Sequence, residues 1–177
     1  MVFTQTRIEG AYIVDPQRIE DDRGFFARAW CKKEFAEHNL KTQIAQVNAG
    51  FSPRKGTIRG MHYQRAPHEE VKICRCVMGA IYDVLTDLRP HSATYKEWLA
   101  VELTPENGRM LYIPEGCAHG YQTLVDNSEL WYFTSQFYAP GYATGVRYND
   151  PVFAIEWPLP VQVISDADRS WPDYGQS

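Results

Sequence analysis

The chain has 177 residues, 44% apolar and 23% charged, enough for one domain with a hydrophobic core and too balanced for global disorder. A net charge of -4 argues against a nucleic-acid partner, which selects basic surfaces, and leaves room for a small anion met by local arginines. There is no charged-then-apolar leader and no apolar run long enough to span a bilayer, so the expectation is a soluble, cytoplasmic protein with no membrane partner.

In chain order, a short helix is predicted around Cys31 to Asn39, with Phe35 and Ala36 facing inward. Strands are then predicted near 43–48, 57–63, 71–78, 80–87, 98–103, 109–113, 119–125 and 130–138. Gly79, Arg89-Pro90 and the stretch from Pro105 to Gly108 break the run between neighbours. Short strands with no linker or repeat imply an all-β jelly roll or small barrel with short peripheral helices, in one domain covering 1–177. The tail from Glu156 is rich in proline (Pro158, Pro160, Pro172) and is expected to pack over the barrel as loops and a turn of helix. Cys74 and Cys76 would share a strand face, which is not a Cys-x-x-Cys arrangement. With Cys31 and Cys117 they are expected to be free thiols.

Two segments carry the strongest pattern. Gly56-Thr-Ile-Arg-Gly-Met-His62-Tyr-Gln64 followed by Glu69, and Gly108-Arg-Met-Leu-Tyr-Ile-Pro114-Glu-Gly116-Cys-Ala-His119, resemble the two cupin motifs. The second is nearly complete. In the first, Gln64 stands where a metallocupin has its second histidine, and a neutral amide is a poor ligand for a borderline metal. A metal held by His62, His119 and Glu69 is therefore the weaker reading, and no metal is expected.

Further segments narrow the match. Asp22-Arg23-Gly24-Phe25-Phe26, Gln46-Val-Asn48, Arg59-Gly-Met-His62-Tyr-Gln64, Lys72, Ile113-Pro-Glu-Gly-Cys-Ala-His119-Gly, Tyr132 with Tyr138-Ala-Pro140, Asn149-Asp150-Pro151 and Ser165-Asp-Ala-Asp168 occur in order. Together they resemble the dTDP-4-dehydrorhamnose 3,5-epimerase family, from about residue 8 to residue 172. The resemblance implies a cupin barrel without metal or cofactor, a homodimer, and a nucleotide-sugar substrate, a dTDP-4-keto-6-deoxyhexose. Carbons 3 and 5 of that sugar flank a ketone, so their protons can be removed if the enolate is stabilised.

The implied roles make chemical sense together. His62 matches the base, Asp168 the carboxylate that orients it, Lys72 the cation for the enolate oxygen, and Tyr132 the acid on the opposite face. Arg23 and Arg59 match phosphate and nucleotide contacts, where a guanidinium binds oxyanions in pairs of hydrogen bonds. Gln46, Asn48 and His119 match ligand-contacting positions, and the residue at Tyr138 stacks on the nucleotide base in the family. Arg28 is a further substrate-binding candidate.

Periodicity supports part of this scheme. On a strand over 130–138, Leu130, Tyr132, Thr134, Gln136 and Tyr138 would share a face suited to a cavity wall. Trp131, Phe133, Ser135 and Phe137 would face the core. Arg59 and His62, three apart, would point to opposite faces of a regular strand. Either Gly60 marks a bulge or Arg59 reaches around the barrel rim.

Four positions depart from the family pattern: Arg28 and Ala143 where glutamate is usual, Ala167 for a lysine, and Val47 where an acidic residue is common. They leave open the sugar and the nucleotide. The alternatives are an epimerase acting at carbon 3 or carbon 5 alone on a dTDP- or CDP-deoxysugar, a metal-dependent cupin, and a non-catalytic sugar-binding cupin.

Overall fold

The computed structural model describes residues 1–175. Thirteen short strands and two short helices follow one another among the described residues. One sheet has six strands in the order β1 (Val2–Gln5), β2 (Tyr12–Asp15), β10 (Met110–Ile113), β7 (Lys72–Met78), β12 (Ser128–Thr134) and β5 (Gln46–Ser52). A second runs β13 (Ala143–Gly145), β6 (Ile58–Gln64), β11 (Cys117–Thr123), β8 (Ile81–Asp87) and β9 (Trp98–Leu103). A separate hairpin joins β3 (Arg18–Asp21) to β4 (Gly24–Ala27). Every strand pairing is antiparallel. This is the cupin-type barrel, and among the described residues no helix is long and apolar enough to cross a membrane.

Alternation decides where each strand puts its side chains. On β7, Cys74 and Cys76 point between the sheets, while Ile73 packs on the outside against α1 (Lys32–Glu37). The inner core closes one end of the barrel with Leu111, Ile113 and Leu130 from one sheet and Ile81, Leu85 and Leu103 from the other. Burying such side chains contributes about 1.5–3 kcal/mol each. All four cysteines are free, and three are buried.

A third apolar cluster covers the outer face of the five-stranded sheet. There Met61, Val84 and Ala118 meet Val146, Phe153 and Ile155, with Trp157 and Tyr174 packed alongside. Polar clips fix the same tail to the sheet. Gln122 donates to the Leu159 carbonyl at 2.9 Å and accepts from the Leu159 amide at 3.0 Å, and Thr57 bridges Val163 in parallel. The tail therefore reaches β6 and deposits α2 (Asp166–Arg169) beside it, capped by Ser165, whose Oγ accepts from the Asp168 amide at 3.1 Å.

Several expectations need correction. The strand expected at 43–48 occupies 46–52, and that expected at 130–138 ends at Thr134. Gln136 and Tyr138 therefore lie on a loop. The supposed core face of that strand is mixed: Trp131 and Phe137 are exposed, and only Ser135 is buried. Strands β1 to β4 and β13 were not anticipated.

Candidate active site

At the open end of the barrel the two sheets enclose a cavity of about 970 Å³. Its walls come from opposite sheets: β6 and β11 supply His62 and His119, and β5, β7 and β12 supply Asn48, Lys72 and Tyr132. Gln46, Arg59, Tyr138 and Asp168 also line it. Nine of the eleven expected site residues thus converge.

Gly60 resolves the conflict between Arg59 and His62. His62 sits opposite His119 and Arg59 opposite Tyr121, so three steps on β6 answer two on β11. The extra residue is a bulge, which turns both side chains to the same cavity. Gly60 has φ +120°, and a Cβ there would lie 2.5 Å from the Gly120 Cα, so only glycine fits. Its amide also donates to Asp168 Oδ2 at 3.2 Å. Arg59 itself is steadied by the Ser52 hydroxyl at 3.2 Å and the Phe51 carbonyl at 3.0 Å.

His62 and Asp168 form a pair, Nε2 to Oδ1 at 2.6 Å. Burial pushes the Asp168 carboxyl up, but the His62 hydrogen bond and charge, the Gly60 amide and Ser165 outweigh it and hold it below the usual carboxylate range. The carboxylate is therefore ionised at neutral pH and accepts from Nε2–H, leaving Nδ1 with the free lone pair.

Lys72 is nearly buried. Its ammonium donates to the His62 carbonyl at 3.0 Å and pairs with Glu70 at 3.2 Å, so one of its three N–H bonds remains for a ligand. Tyr132 is raised above the ordinary phenol range, chiefly by burial. It holds its proton. The Tyr63 and Tyr121 phenols are raised by burial as well, and both line the cavity with Tyr132 and Tyr138.

His119 is buried and bonded through Nε2 to Asp83 Oδ1 at 2.7 Å, with Cys74 Sγ at 3.4 Å. Cys74, Asp83 and His119 place donor atoms within 4.8 Å of one another. His62 is not among them, and Glu69 does not line the cavity, so the motif set of His62, Glu69 and His119 does not converge. Glu70 takes the place expected for Glu69. Burial pushes the Cys74 thiol well above its ordinary value, which keeps it a neutral hydrogen-bonding group.

Arg23 and Arg28 are the exceptions. Arg23 stands on the β3–β4 turn, paired with Asp21 at 2.5 Å and almost fully exposed, and Arg28 pairs with Glu34 at 3.0 Å. Neither lines the cavity of its own chain. Among the departures, Ala143 and Ala167 do line it, whereas Val47 points outward. Glu70, Asp83 and Trp171 were missed. Asp83 had one legible signal, a lone carboxylate in phase with inward-facing Ile81 and Leu85.

Fold and site together define a cupin barrel whose cavity holds a His–Asp pair on one wall and a tyrosine on the other. The family profile described as dTDP-4-dehydrorhamnose 3,5-epimerase matches residues 5–176. A relative of that name from Methanothermobacter thermautotrophicus is 39% identical, over 96% of this chain and 92% of its own. The structure of dTDP-4-dehydrorhamnose 3,5-epimerase from Bacillus anthracis with TDP and PPi bound superposes with a TM-score of 0.94 at 37% identity. It covers 97% of this chain and 98% of its own. ChmJ, a 3'-monoepimerase from Streptomyces bikiniensis in complex with dTDP-quinovose, superposes with a TM-score of 0.88 at 32% identity, covering 95% and 85%. The chain belongs to the dTDP-4-dehydrorhamnose 3,5-epimerase family.

Proposed function

We propose that the chain epimerises carbons 3 and 5 of dTDP-4-keto-6-deoxyglucose, the step that leads toward dTDP-L-rhamnose. The observation that carries this reading is the His62–Asp168 pair facing Tyr132 across one cavity that Lys72 also lines. His62 Nδ1 takes the proton next to the ketone, and Asp168 stabilises the resulting imidazolium. The free N–H of Lys72 meets the enolate oxygen, in a site where a fixed charge is worth more than in water. Tyr132 returns a proton from the opposite sheet. Delivery from the far side is what inverts the carbon, since return from His62 restores the starting sugar.

Arg59, Gln46, Asn48 and Tyr138 at the cavity mouth are assigned to the nucleotide diphosphate, and His119 to the sugar. Arg23 is assigned to the diphosphate too, and because it lies outside its own cavity it must act in that of a second copy. A homodimer joined through the β3–β4 hairpin satisfies this, and Ile19, Phe25 and Phe26 on that hairpin are exposed apolar side chains that such a contact would cover. The whole chain, 1–177, is taken as one catalytic domain, with its last two residues outside the described ones. Four free thiols favour a reducing, cytoplasmic setting.

The test is proton exchange in deuterated water with dTDP-4-keto-6-deoxyglucose, followed by NMR. Label at both carbons is expected. Likeness to ChmJ, a 3'-monoepimerase, favours the single-centre reading as the second choice, and label at carbon 3 alone would establish it. No label at all, with this and a CDP-linked sugar, would sink the epimerase reading.

A further inference from the structure

Gln64 has no part in proton transfer, yet it makes more hydrogen bonds than any other amide lining the cavity. It is buried at the end of β6. Its Oε1 accepts from the Ala139 amide at 2.7 Å. Its Nε2 donates to the carbonyls of His68 at 2.9 Å and Phe137 at 3.2 Å, and lies 3.4 Å from Glu70 Oε2. One residue earlier on the same loop, the Tyr138 amide donates to Gln46 Oε1 at 2.6 Å. Two glutamine side chains therefore hold the successive backbone N–H groups of Tyr138 and Ala139.

Tyr138 needs such support. Its side chain is 65% exposed, so packing does not set its direction and the backbone must. An aromatic ordered only on binding costs affinity, and one already ordered does not. We propose that Gln64 is a positioning residue for the nucleotide half of the site, clamping the loop after β12 so that Tyr138 is set against the base. The proposal rests on the reading that Tyr138 contacts the nucleotide base. An amide suits the task because one side chain must accept from an N–H and donate to two carbonyls. A carboxylate has no donor, and methionine has neither group.

The experiment is a double-mutant cycle on the full-length protein, read as dTDP affinity by calorimetry and as kcat at saturating substrate. Gln64→Met is expected to weaken dTDP binding about tenfold while kcat stays within about threefold, because ordering of the loop is lost and the proton-transfer groups remain. Tyr138→Ala should weaken binding about tenfold or more, the range of base stacking. In the Tyr138→Ala background Gln64→Met should then change affinity by less than about twofold, since coupled sites are not additive. Additive losses, or a loss confined to kcat, would overturn the proposal while leaving the Tyr138 reading intact. A Tyr138→Ala protein that binds dTDP like the wild type would overturn that reading, and the proposal with it. Hydrogen exchange on the unmodified protein gives an independent arm. The Tyr138 and Ala139 amides should exchange as slowly as strand amides, and exchange at open-loop rates would refute the clamp even if Gln64→Met fails to fold.

Discussion

Between His62 and Asp168 the direction of the hydrogen bond decides which ring nitrogen is basic. With the carboxylate ionised, Nε2 keeps the proton and Nδ1 carries the free lone pair. Asp168→Asn replaces that acceptor with a neutral amide and removes the charge that favours imidazolium. Deuterium wash-in should then fall about 10²–10⁴-fold, with dTDP affinity nearly unchanged. Tyr132→Phe separates the two half-reactions: wash-in should persist while inversion is lost, as read by NMR of the recovered sugar. Wash-in and inversion falling in parallel would refute the assignment of Tyr132 as the opposite-face acid. That His62, Lys72, Tyr132 and Asp168 meet in one cavity was legible because each stands in a motif. Glu70 was not, since a one-residue shift exchanges it with Glu69 and only the register against Lys72 distinguishes them.

At the scale of elements, two short stretches of β-structure govern the site and its stability. The bulge at Gly60 aims Arg59 and His62 into one cavity and lends an amide to Asp168. Gly60→Ala would place a methyl 2.5 Å from the Gly120 Cα at φ +120°, and the cost should be about 2 kcal/mol or more in urea denaturation. Gly141→Ala, with nothing within 4 Å and no positive φ, should change stability by less than about 0.5 kcal/mol. The second stretch is the turn after β8. Burial pushes the Asp87 carboxyl up, but Arg89, Ser92 and Thr94 more than offset this and hold it at about 2. An unfolded aspartate titrates near ~3.9, so the unfolded chain binds its proton first. The contribution of Asp87 is full above ~pH 4 and is lost as pH falls toward the folded value. Asp87→Asn should accordingly lower the thermal midpoint at pH 7, with the difference from wild type shrinking in acid. A difference that stays constant down to pH 2 would show that the Arg89 pair is not its source. Both stretches expose how unevenly β-structure can be read from sequence. Long strands such as β7 and β8 carry alternation that is visible without coordinates. β1 to β4 have four residues each, and β3 and β4 expose their apolar side chains, so no buried face gives them a period.

At the scale of the whole molecule, the same exposed hairpin separates what one chain can do from what two can. A single barrel brings nine expected residues to one cavity and leaves Arg23 outside it, exposed on the β3–β4 turn beside Phe25 and Phe26. If Arg23 serves the diphosphate, the geometry demands a partner, and a two-fold pair would exchange hairpins symmetrically. Complementation tests this directly. His62→Ala should be inactive in every site, and Arg23→Ala should bind substrate poorly in every site. In a refolded equal mixture, half the dimers are mixed. Each mixed dimer holds one site with His62 from the Arg23→Ala chain and Arg23 from the other. About one quarter of all sites should therefore regain wild-type kcat/KM. If Arg23 acts in its own chain's cavity, no site in the mixture regains both groups, and the mixture shows only the average of its parents.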